Sequence, residues 1–353
     1  TRFSVPSGIS TPNHFRNSAV FCLPKGAKVK MIREEVAIED TFARSIIVNS
    51  PNGKKYGFIN LPGFNADFED AKGRNASDDI KAELIKLKAQ NVEGIILDLR
   101  NNGGGSLTEV VDIMGLFMKN GPVVQVKDGN GKIQVLKNKQ NDPIWTGPLV
   151  IMQNELSASA SEILAGAMQD YGRAVIVGSP QSFGKGTVQT FVELNRFLNT
   201  SDDFGALKLT IQKFYRVNGK STQLKGVDSD IPMKGIFTYE EIGERYDNYA
   251  LPWDQVSTSG FAPLNTLNMS NLVNNSAKRL TQNKNYQLLL ESAQWKEKLD
   301  KEEKVTLNLK EFESLMKARK EQIEKFKSLI KFNNGLNFTL HADEAKRGKT
   351  DEV

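Results

Sequence analysis

Short apolar runs alternate with amphipathic segments through the first two thirds of the chain. Residues 78–91 carry apolar side chains at helical spacing with charged residues between them, which predicts an amphipathic helix. The mainly apolar run 94–99 is rich in β-branched residues, as in a strand buried on both faces. The same order returns as a strand over 147–154, a helix over 159–171 and a strand over 173–180. This alternation predicts a layered α/β core.

The pattern changes towards both ends. Residues 1–27 show little periodicity and are predicted to be an arm. The alternation over 28–43 predicts one or two short strands, and 55–64 predicts another. The β-rich stretch 206–222 contains Asn218-Gly219, a dipeptide typical of a hairpin turn.

The composition then shifts to Asn, Lys, Glu and Leu, and the pattern becomes helical. We therefore expect three parts in the chain. These are an N-terminal arm over 1–27, an α/β core over 28–238 and a helical C-terminal region over 239–353.

Composition narrows the classes of function. The 353 residues are 39% hydrophobic and 25% charged, which indicates a globular protein. The net charge of +5 does not indicate nucleic-acid binding, because lysines and glutamates alternate along the C-terminal third as on a solvated helix surface. No apolar run approaches the roughly 20 residues that span a bilayer, so no integral membrane segment is expected. The chain starts at Thr1 without a signal-like segment, so any export signal is expected to have been removed or never present.

Cysteine and histidine are scarce. The single cysteine, Cys22, excludes an internal disulfide and a cysteine-based zinc site. The two histidines, His14 and His341, lie near the chain ends, which disfavours a histidine-based catalytic triad. A serine nucleophile in this chain would therefore need another base.

Three serines, Ser157, Ser159 and Ser161, cluster where the predicted strand over 147–154 gives way to a helix. Ser159 and Glu162 have the spacing of a capping box, which is a purely structural explanation. A serine at a helix N-terminus also faces free backbone N–H groups that stabilise an oxyanion, which suits a nucleophile. The pattern alone leaves both interpretations open.

Lys185 is the candidate base, because it lies between two glycines after a predicted buried strand. The pKa of an exposed lysine, near 10.4, would have to fall to near neutrality, a change of roughly 4 kcal/mol that burial without a counter-ion supplies. Gln189, four residues later, could orient the amine without charging it. A surface lysine in a glycine-rich turn is the alternative.

A glycine-rich turn, Gly103 to Gly105, follows the predicted strand over 94–99. Three glycines give exposed amides and a close backbone approach, which suits an oxyanion hole. A tight connection between strand and helix is the alternative. Neither a Walker loop nor a dinucleotide-binding glycine motif is matched in spacing.

Several separated motifs together resemble one family. "DLRNNGGG", "SASASEILAGAMQDYGRAVIVG", "FGKGTVQ" and "TIQKFYRVNGKSTQLKGVDSDI" are similar in order and spacing to the tail-specific, or C-terminal processing, serine proteases, most closely the periplasmic Prc/Tsp-type branch. The resemblance runs from about residue 28 to residue 253. It implies a crotonase-like or ClpP-like α/β protease core.

The resemblance also implies roles for individual residues. It makes Ser159 the nucleophile and Lys185 the general base, with Gln189 assisting. It implies an oxyanion hole from the amides of Gly105 and Ala160. Asp170 matches a position that supports the structure around the site.

The function implied is that of a serine endopeptidase that cuts proteins with apolar, poorly structured C-terminal tails in the periplasm. Such an enzyme works through an acyl-enzyme, needs no metal or cofactor, and could work with an adaptor protein. The family normally carries a peptide-binding PDZ domain before the core. The stretch 23–36 resembles the last PDZ strand, so we expect residues 1–27 to be a remnant of a truncated PDZ region.

Two alternatives stay open. The stretch "GSPQSFGK" before Lys185 is one residue longer than the family pattern. That difference and the short N-terminal region favour a catalytically silent peptide-binding or adaptor protein on the same fold. An acyl-transfer enzyme on a crotonase-type fold is the other alternative, and no sequence feature for a thioester cofactor supports it.

Overall fold

The computed structural model describes residues 41–67, 73–196, 204–264, 267–330 and 335–341. Within these ranges the chain forms six helices and eleven strands. The helices are α1 (Ala76–Ala89), α2 (Leu107–Phe117), α3 (Ala160–Asp170), α4 (Met269–Gln282), α5 (Lys284–Asp300) and α6 (Leu309–Ile330). The strands are β1 (Arg44–Asn49), β2 (Lys55–Asn60), β3 (Gly94–Asp98), β4 (Gly121–Asp128), β5 (Ile133–Asn138), β6 (Leu149–Gln153), β7 (Val175–Gly178), β8 (Thr187–Glu193), β9 (Ala206–Tyr215), β10 (Ile231–Pro232) and β11 (Asn337–Leu340).

A seven-stranded sheet carries the core in the order β10-β7-β6-β3-β2-β1-β11. The strands from β10 to β2 are parallel, and β1 and β11 pair antiparallel at one side. Helix α1 packs closely on β2, since a Cβ on Gly57 would lie 2.6 Å from Leu87 Cδ1. Because β3 and β6 are parallel neighbours, with Asp98 opposite Met152, the turns that follow these two strands emerge side by side.

A second, antiparallel sheet has the order β5-β4-β9-β8, so that β8 forms one edge. Strand β9 occupies the first part of the predicted β-rich stretch. The predicted turn at Asn218-Gly219 is present, closed by a hydrogen bond of 2.9 Å from Arg216 N–H to Lys220 O. Strands β4, β5 and β8 lie outside the predicted elements. Their pairing with neighbours holds them in place, since β5 and the outer half of β8 bury few side chains.

The predicted fold class is confirmed, with an α/β core and a helical C-terminal region. The predicted helices and strands of the core recur within a few residues of their predicted ends, for example α1 over Ala76–Ala89 and α3 over Ala160–Asp170. In the C-terminal region, α5 packs on α6 through the rings of Trp295 and Phe326, whose centroids lie 5.6 Å apart. No residue of α6 is fully buried, in agreement with the predicted solvated surface.

The predicted arm over 1–27, the PDZ-like stretch 23–36 and the predicted strands before residue 41 lie outside the described residues. The proposed division into an arm, a core and a C-terminal region stays a prediction. In the part of the chain that the structure describes, no helix is both long enough and apolar enough to cross a bilayer.

Candidate active site

The turn after β3 brings the glycine-rich segment against the serine cluster. Gly104 and Gly105 have φ angles of 108° and 145°, which side-chain-bearing residues rarely adopt. A Cβ on Gly104 would lie 2.9 Å from Ser159 Cβ, and one on Gly105 would lie 2.3 Å from Phe64 O. The backbone therefore approaches Ser159 as closely as only glycine allows.

Ser159 precedes the first residue of α3 and has a strained backbone. Its φ of 57° and ψ of −110° lie in a region that non-glycine residues rarely occupy. The conformation is held from both sides. The preceding Ala158 N–H donates to Asn102 O at 3.0 Å, and the Ser159 N–H donates to Glu162 Oε2 at 2.8 Å. The second bond is one half of the predicted capping box.

The other two serines of the cluster serve the structure. The Ser157 hydroxyl donates to Leu99 O at 2.8 Å, and the Ser161 hydroxyl donates to Asn102 O at 2.9 Å. Both residues are 1% exposed. Ser159 is the member of the cluster that lines a surface cavity. The structure thus separates one accessible serine from two buried ones.

A cavity of about 240 Å³ lies between the turn after β3, the start of α3 and the β8–β9 pair. It brings together five of the six predicted site residues. Its lining consists of Gly103, Gly105, Leu107, Ser159, Ala160, Ile163, Lys185, Thr187, Val188, Gln189, Lys208 and Phe214.

Two backbone amides in this lining are free to bind a substrate oxygen. Among the described residues, neither the Gly105 N–H nor the Ala160 N–H donates a hydrogen bond to another protein group. The Ala160 amide begins α3, where the helix leaves its first N–H groups without intrahelical partners. The two residues that the family resemblance names for an oxyanion hole thus both line this cavity, and their role stays a prediction.

Lys185 reaches the cavity from a tightly packed loop. A Cβ on Gly184 would lie 2.9 Å from the Leu224 carbonyl carbon, and one on Gly186 would lie 2.7 Å from Gln223 N. The flanking glycines therefore hold the loop against a neighbouring segment. Despite the additional residue in "GSPQSFGK", Lys185 lines the same cavity as Ser159.

Burial lowers the pKa of the Lys185 ammonium, and the nearby Lys208 ammonium lowers it further. The carboxylates of Glu244 and Glu162 act in the opposite direction, with a smaller effect. A lysine with a lowered pKa is more often neutral near physiological pH, which a general base requires.

A buried carboxylate joins the nucleophile segment to the lysine loop. Glu162 is fully buried and accepts four hydrogen bonds. The donors are Ser159 N–H at 2.8 Å, Lys185 N–H at 2.9 Å, Gly184 N–H at 2.7 Å and the Ser182 hydroxyl at 2.6 Å. Burial raises the pKa of Glu162 to about 7, although all four bonds oppose this change.

Of the two remaining predicted site residues, Gln189 lies at the cavity and Asp170 lies away from it. Gln189 lines the cavity, and among the described residues no hydrogen bond joins its side chain to Lys185. Asp170 lies at the far end of α3, roughly 16 Å along the helix from Ser159. Its carboxylate binds the Arg216 guanidinium through two oxygens, at 2.5 and 3.0 Å, and accepts 2.8 Å from Asn218 Nδ2.

The structure adds two residues that the sequence patterns did not single out. Glu162 was expected only as a helix cap, and its bonds to the lysine loop depend on tertiary packing. Lys208 belongs to the β-rich stretch, and no local signal marks it. A prediction that β9 pairs with β8 would have indicated Lys208, because Gln189 lies opposite Thr210, two residues from Lys208.

Comparison with known proteins relates most of the chain to proteases. Residues 55–233 match Peptidase family S41, and residues 237–353 match the C-terminal domain of tail specific protease. The chain is 42% identical over 255 residues to the tail-specific protease of Haemophilus influenzae, which covers 71% of this chain and 35% of that protein. It is 31% identical over 255 residues to the carboxyl-terminal-processing protease of a Picosynechococcus species. This alignment covers 71% of this chain and 55% of that protein.

A solved structure, that of a photosystem II D1 C-terminal processing protease, is also similar. It aligns with a TM-score of 0.46 and 27% identity over 57% of this chain and 50% of that one. The chain thus spans between about a third and about half of the length of these relatives.

Proposed function

Because this chain belongs to peptidase family S41, we propose that it is a serine endopeptidase that works through a Ser159–Lys185 dyad. One observation carries the proposal. Ser159, unlike Ser157 and Ser161, faces a cavity that Lys185 also lines. The lowered pKa of Lys185 supports its role as the base.

The reaction proceeds in two halves. Neutral Lys185 takes the Ser159 hydroxyl proton while Oγ attacks the carbonyl carbon of the peptide bond. The C–N bond then breaks, the leaving amine receives the proton from the Lys185 ammonium, and an acyl-enzyme remains. Water attacks the acyl-enzyme, gives a proton to Lys185, and that proton returns to the serine as the acid product leaves.

The negative charge on the tetrahedral oxygen is bound by the amides of Gly105 and Ala160. Loss of one such donor typically lowers kcat by about 100- to 1,000-fold. Gln189, which lines the same cavity, would orient the amine of Lys185 once a substrate is bound. Asp170 acts at a distance as a positioning residue, because its bond to Arg216 fixes the end of the helix that begins beside Ser159.

We propose that the substrates are proteins with apolar, poorly structured C-terminal tails, and that the enzyme works in the periplasm with or without an adaptor protein. Support comes from the motifs that this chain shares with tail-specific proteases and from its similarity to the Haemophilus protein of that name.

The test is cleavage of an unfolded reporter with an apolar C-terminal tail between pH 6 and pH 10. The parent chain is compared with Ser159→Ala, Lys185→Ala and, as a control, Lys137→Ala on exposed β5. Cleavage should vanish in the first two variants and persist in the control. In the parent it should rise with pH at an apparent pKa below the ordinary lysine value.

A fluorophosphonate probe gives an independent measurement. It should label Ser159 in the parent chain and leave Ser159→Ala unlabelled. Turnover by Ser159→Ala would refute the mechanism. A parent that neither cleaves nor reacts with the probe would indicate the catalytically silent binding protein.

A further inference from the structure

The candidate active-site cavity carries positive charge. Two lysines line it, Lys185 with its lowered pKa and Lys208, and no carboxylate is among its lining residues in the described part of the chain. The free amides of Gly105 and Ala160 add partial positive charge. A site of this composition attracts an anion from outside the protein.

Lys208 takes no part in the proton transfers of the proposed mechanism and acts there only by lowering the pKa of Lys185. Within the described residues no carboxylate lies within 4.0 Å of its ammonium, whereas Lys213 on the same strand pairs with Asp254 at 2.5 Å. The ring of Phe191 lies directly across on β8, with its centroid 5.9 Å from Lys208 Nζ. Phe191 is itself 70% exposed. The charge of Lys208 therefore lines the cavity without a carboxylate partner among the described residues.

The two ammonium groups interact across the cavity. After burial, Lys208 is the next largest cause of the lowered pKa of Lys185. The carboxylates that raise the pKa of Lys185, Glu162 and Glu244, do not line the cavity. Among the described residues, no carboxylate thus competes with a substrate for the Lys208 ammonium.

We propose that Lys208 is a specificity-determining residue that binds a carboxylate of the substrate beside the bond to be cut. The inference rests on the proposed peptidase function. A peptide offers this group either as its C-terminal α-carboxylate or as an Asp or Glu side chain. The exposed Phe191 beside Lys208 would contact the apolar part of the same segment.

The experiment uses the full chain and four matched peptides. The cleaved bond is first mapped by mass spectrometry on a neutral peptide with an apolar sequence and an amidated C-terminus. The other three carry a free C-terminal acid, a Glu close to the cleaved bond, or a Gln at that same position. For each peptide kcat/KM is measured with the parent chain, Lys208→Met, Lys208→Arg and Lys137→Met.

The parent should prefer one acidic peptide over its neutral match by about tenfold, the effect of one partly exposed charge-assisted hydrogen bond. Lys208→Met should bring that ratio close to one. Lys208→Arg should keep most of it. Lys137→Met removes the same charge from the opposite edge of the same sheet and should leave the ratio unchanged. The preference should shrink at high salt.

The two pairs of peptides distinguish the two sources of the substrate carboxylate. A preference for the free acid over the amide identifies the α-carboxylate, and a preference for Glu over Gln identifies a side chain. Equal kcat/KM for all four peptides in the parent, or a ratio that Lys208→Met leaves intact, overturns the inference and leaves the peptidase function standing. No cleavage of any peptide overturns the proposed function and this inference with it.

Discussion

Replacing Glu162 by Gln tests how the nucleophile segment and the lysine loop are held together. The carboxylate accepts hydrogen bonds at both oxygens, two at Oε1 and two at Oε2. Gln has nearly the same shape but only one acceptor oxygen, and its NH2 group would face two of the donors. The substitution therefore removes acceptor capacity with little change in volume.

The expected change in unfolding free energy follows from the lost hydrogen bonds and from the pKa of Glu162. A buried donor that loses its partner costs about 1 to 3 kcal/mol. The two donors that would face the Gln NH2 group therefore destabilise the variant by about 2 to 6 kcal/mol. This figure leaves out the cost of burying the carboxylate in the parent. Burial raises the pKa of Glu162 from 4.5 to about 7. Between these values the native state holds a proton that the unfolded state has lost, so this group's contribution to stability falls as pH rises through 7.

The parent chain should therefore lose about 2 to 3 kcal/mol of unfolding free energy between pH 5 and pH 8 through Glu162, a dependence that the Gln variant lacks. Urea unfolding followed by circular dichroism, at both pH values, measures the difference between the two proteins. Glu83→Gln is the control. Glu83 is a buried carboxylate on α1, lies away from the site and pairs with Lys86. The control should differ from the parent by the same amount at both pH values.

Activity provides the second readout for Glu162→Gln. At pH 8 the variant should lose about 100-fold in kcat, the typical effect of a displacement of about 1 Å in a catalytic group, with a smaller change in KM. A stability difference from the parent that is equal at pH 5 and pH 8 would refute the assigned titration. Unchanged kcat would refute the positioning role.

Three further sets of substitutions each test a single feature of the site. Ser159→Gly and Ser159→Ala should both be inactive, but the Gly variant should be more stable in urea by about 1 kcal/mol because it relieves the strained φ of 57°; a less stable Gly variant would contradict the strain. Gly105→Ala should unfold at lower urea and lose activity, whereas Gly129→Ala, in the turn after β4 where a Cβ meets nothing within 4 Å, should change neither much; equal effects would contradict the close approach. Asp170→Ala should destabilise the chain by about 3 to 5 kcal/mol, and combining it with Arg216→Ala should add less than the two single effects together; strict additivity in the double-mutant cycle would contradict the coupling.

Local sequence patterns were enough to predict several helices and strands of the core. The helical spacing over 78–91 and the apolar run over 94–99 predict α1 and β3, since burial imposes a period on each element that is visible within a few residues. The edge strand β8 and the hairpin of β4 and β5 were not predicted. Strand β5 and the outer half of β8 bury few side chains, so burial imposes no clear hydrophobic pattern on them. Gly104 and Gly105 were likewise recognisable, because a sharp turn and close packing leave few residue types besides glycine.

Within the serine cluster the sequence pattern alone was ambiguous, and it was the family resemblance that singled out Ser159. The structure gives the physical difference between the three serines. Ser157 and Ser161 point their hydroxyls at carbonyl oxygens of the neighbouring turn, whereas Ser159 faces the cavity. The sequence pattern cannot distinguish these directions, because all three residues lie within the same few positions before a helix.

The sequence by itself determined the candidate groups, namely a serine cluster before a helix, a lysine between glycines and a glycine-rich turn. Only the tertiary structure decided that they meet. The parallel pairing of β3 with β6 sets the glycine turn beside Ser159, and the four bonds of Glu162 set the Lys185 loop beside both. These contacts join segments far apart in the chain, and their geometry depends on strand order and packing, which no local spacing encodes.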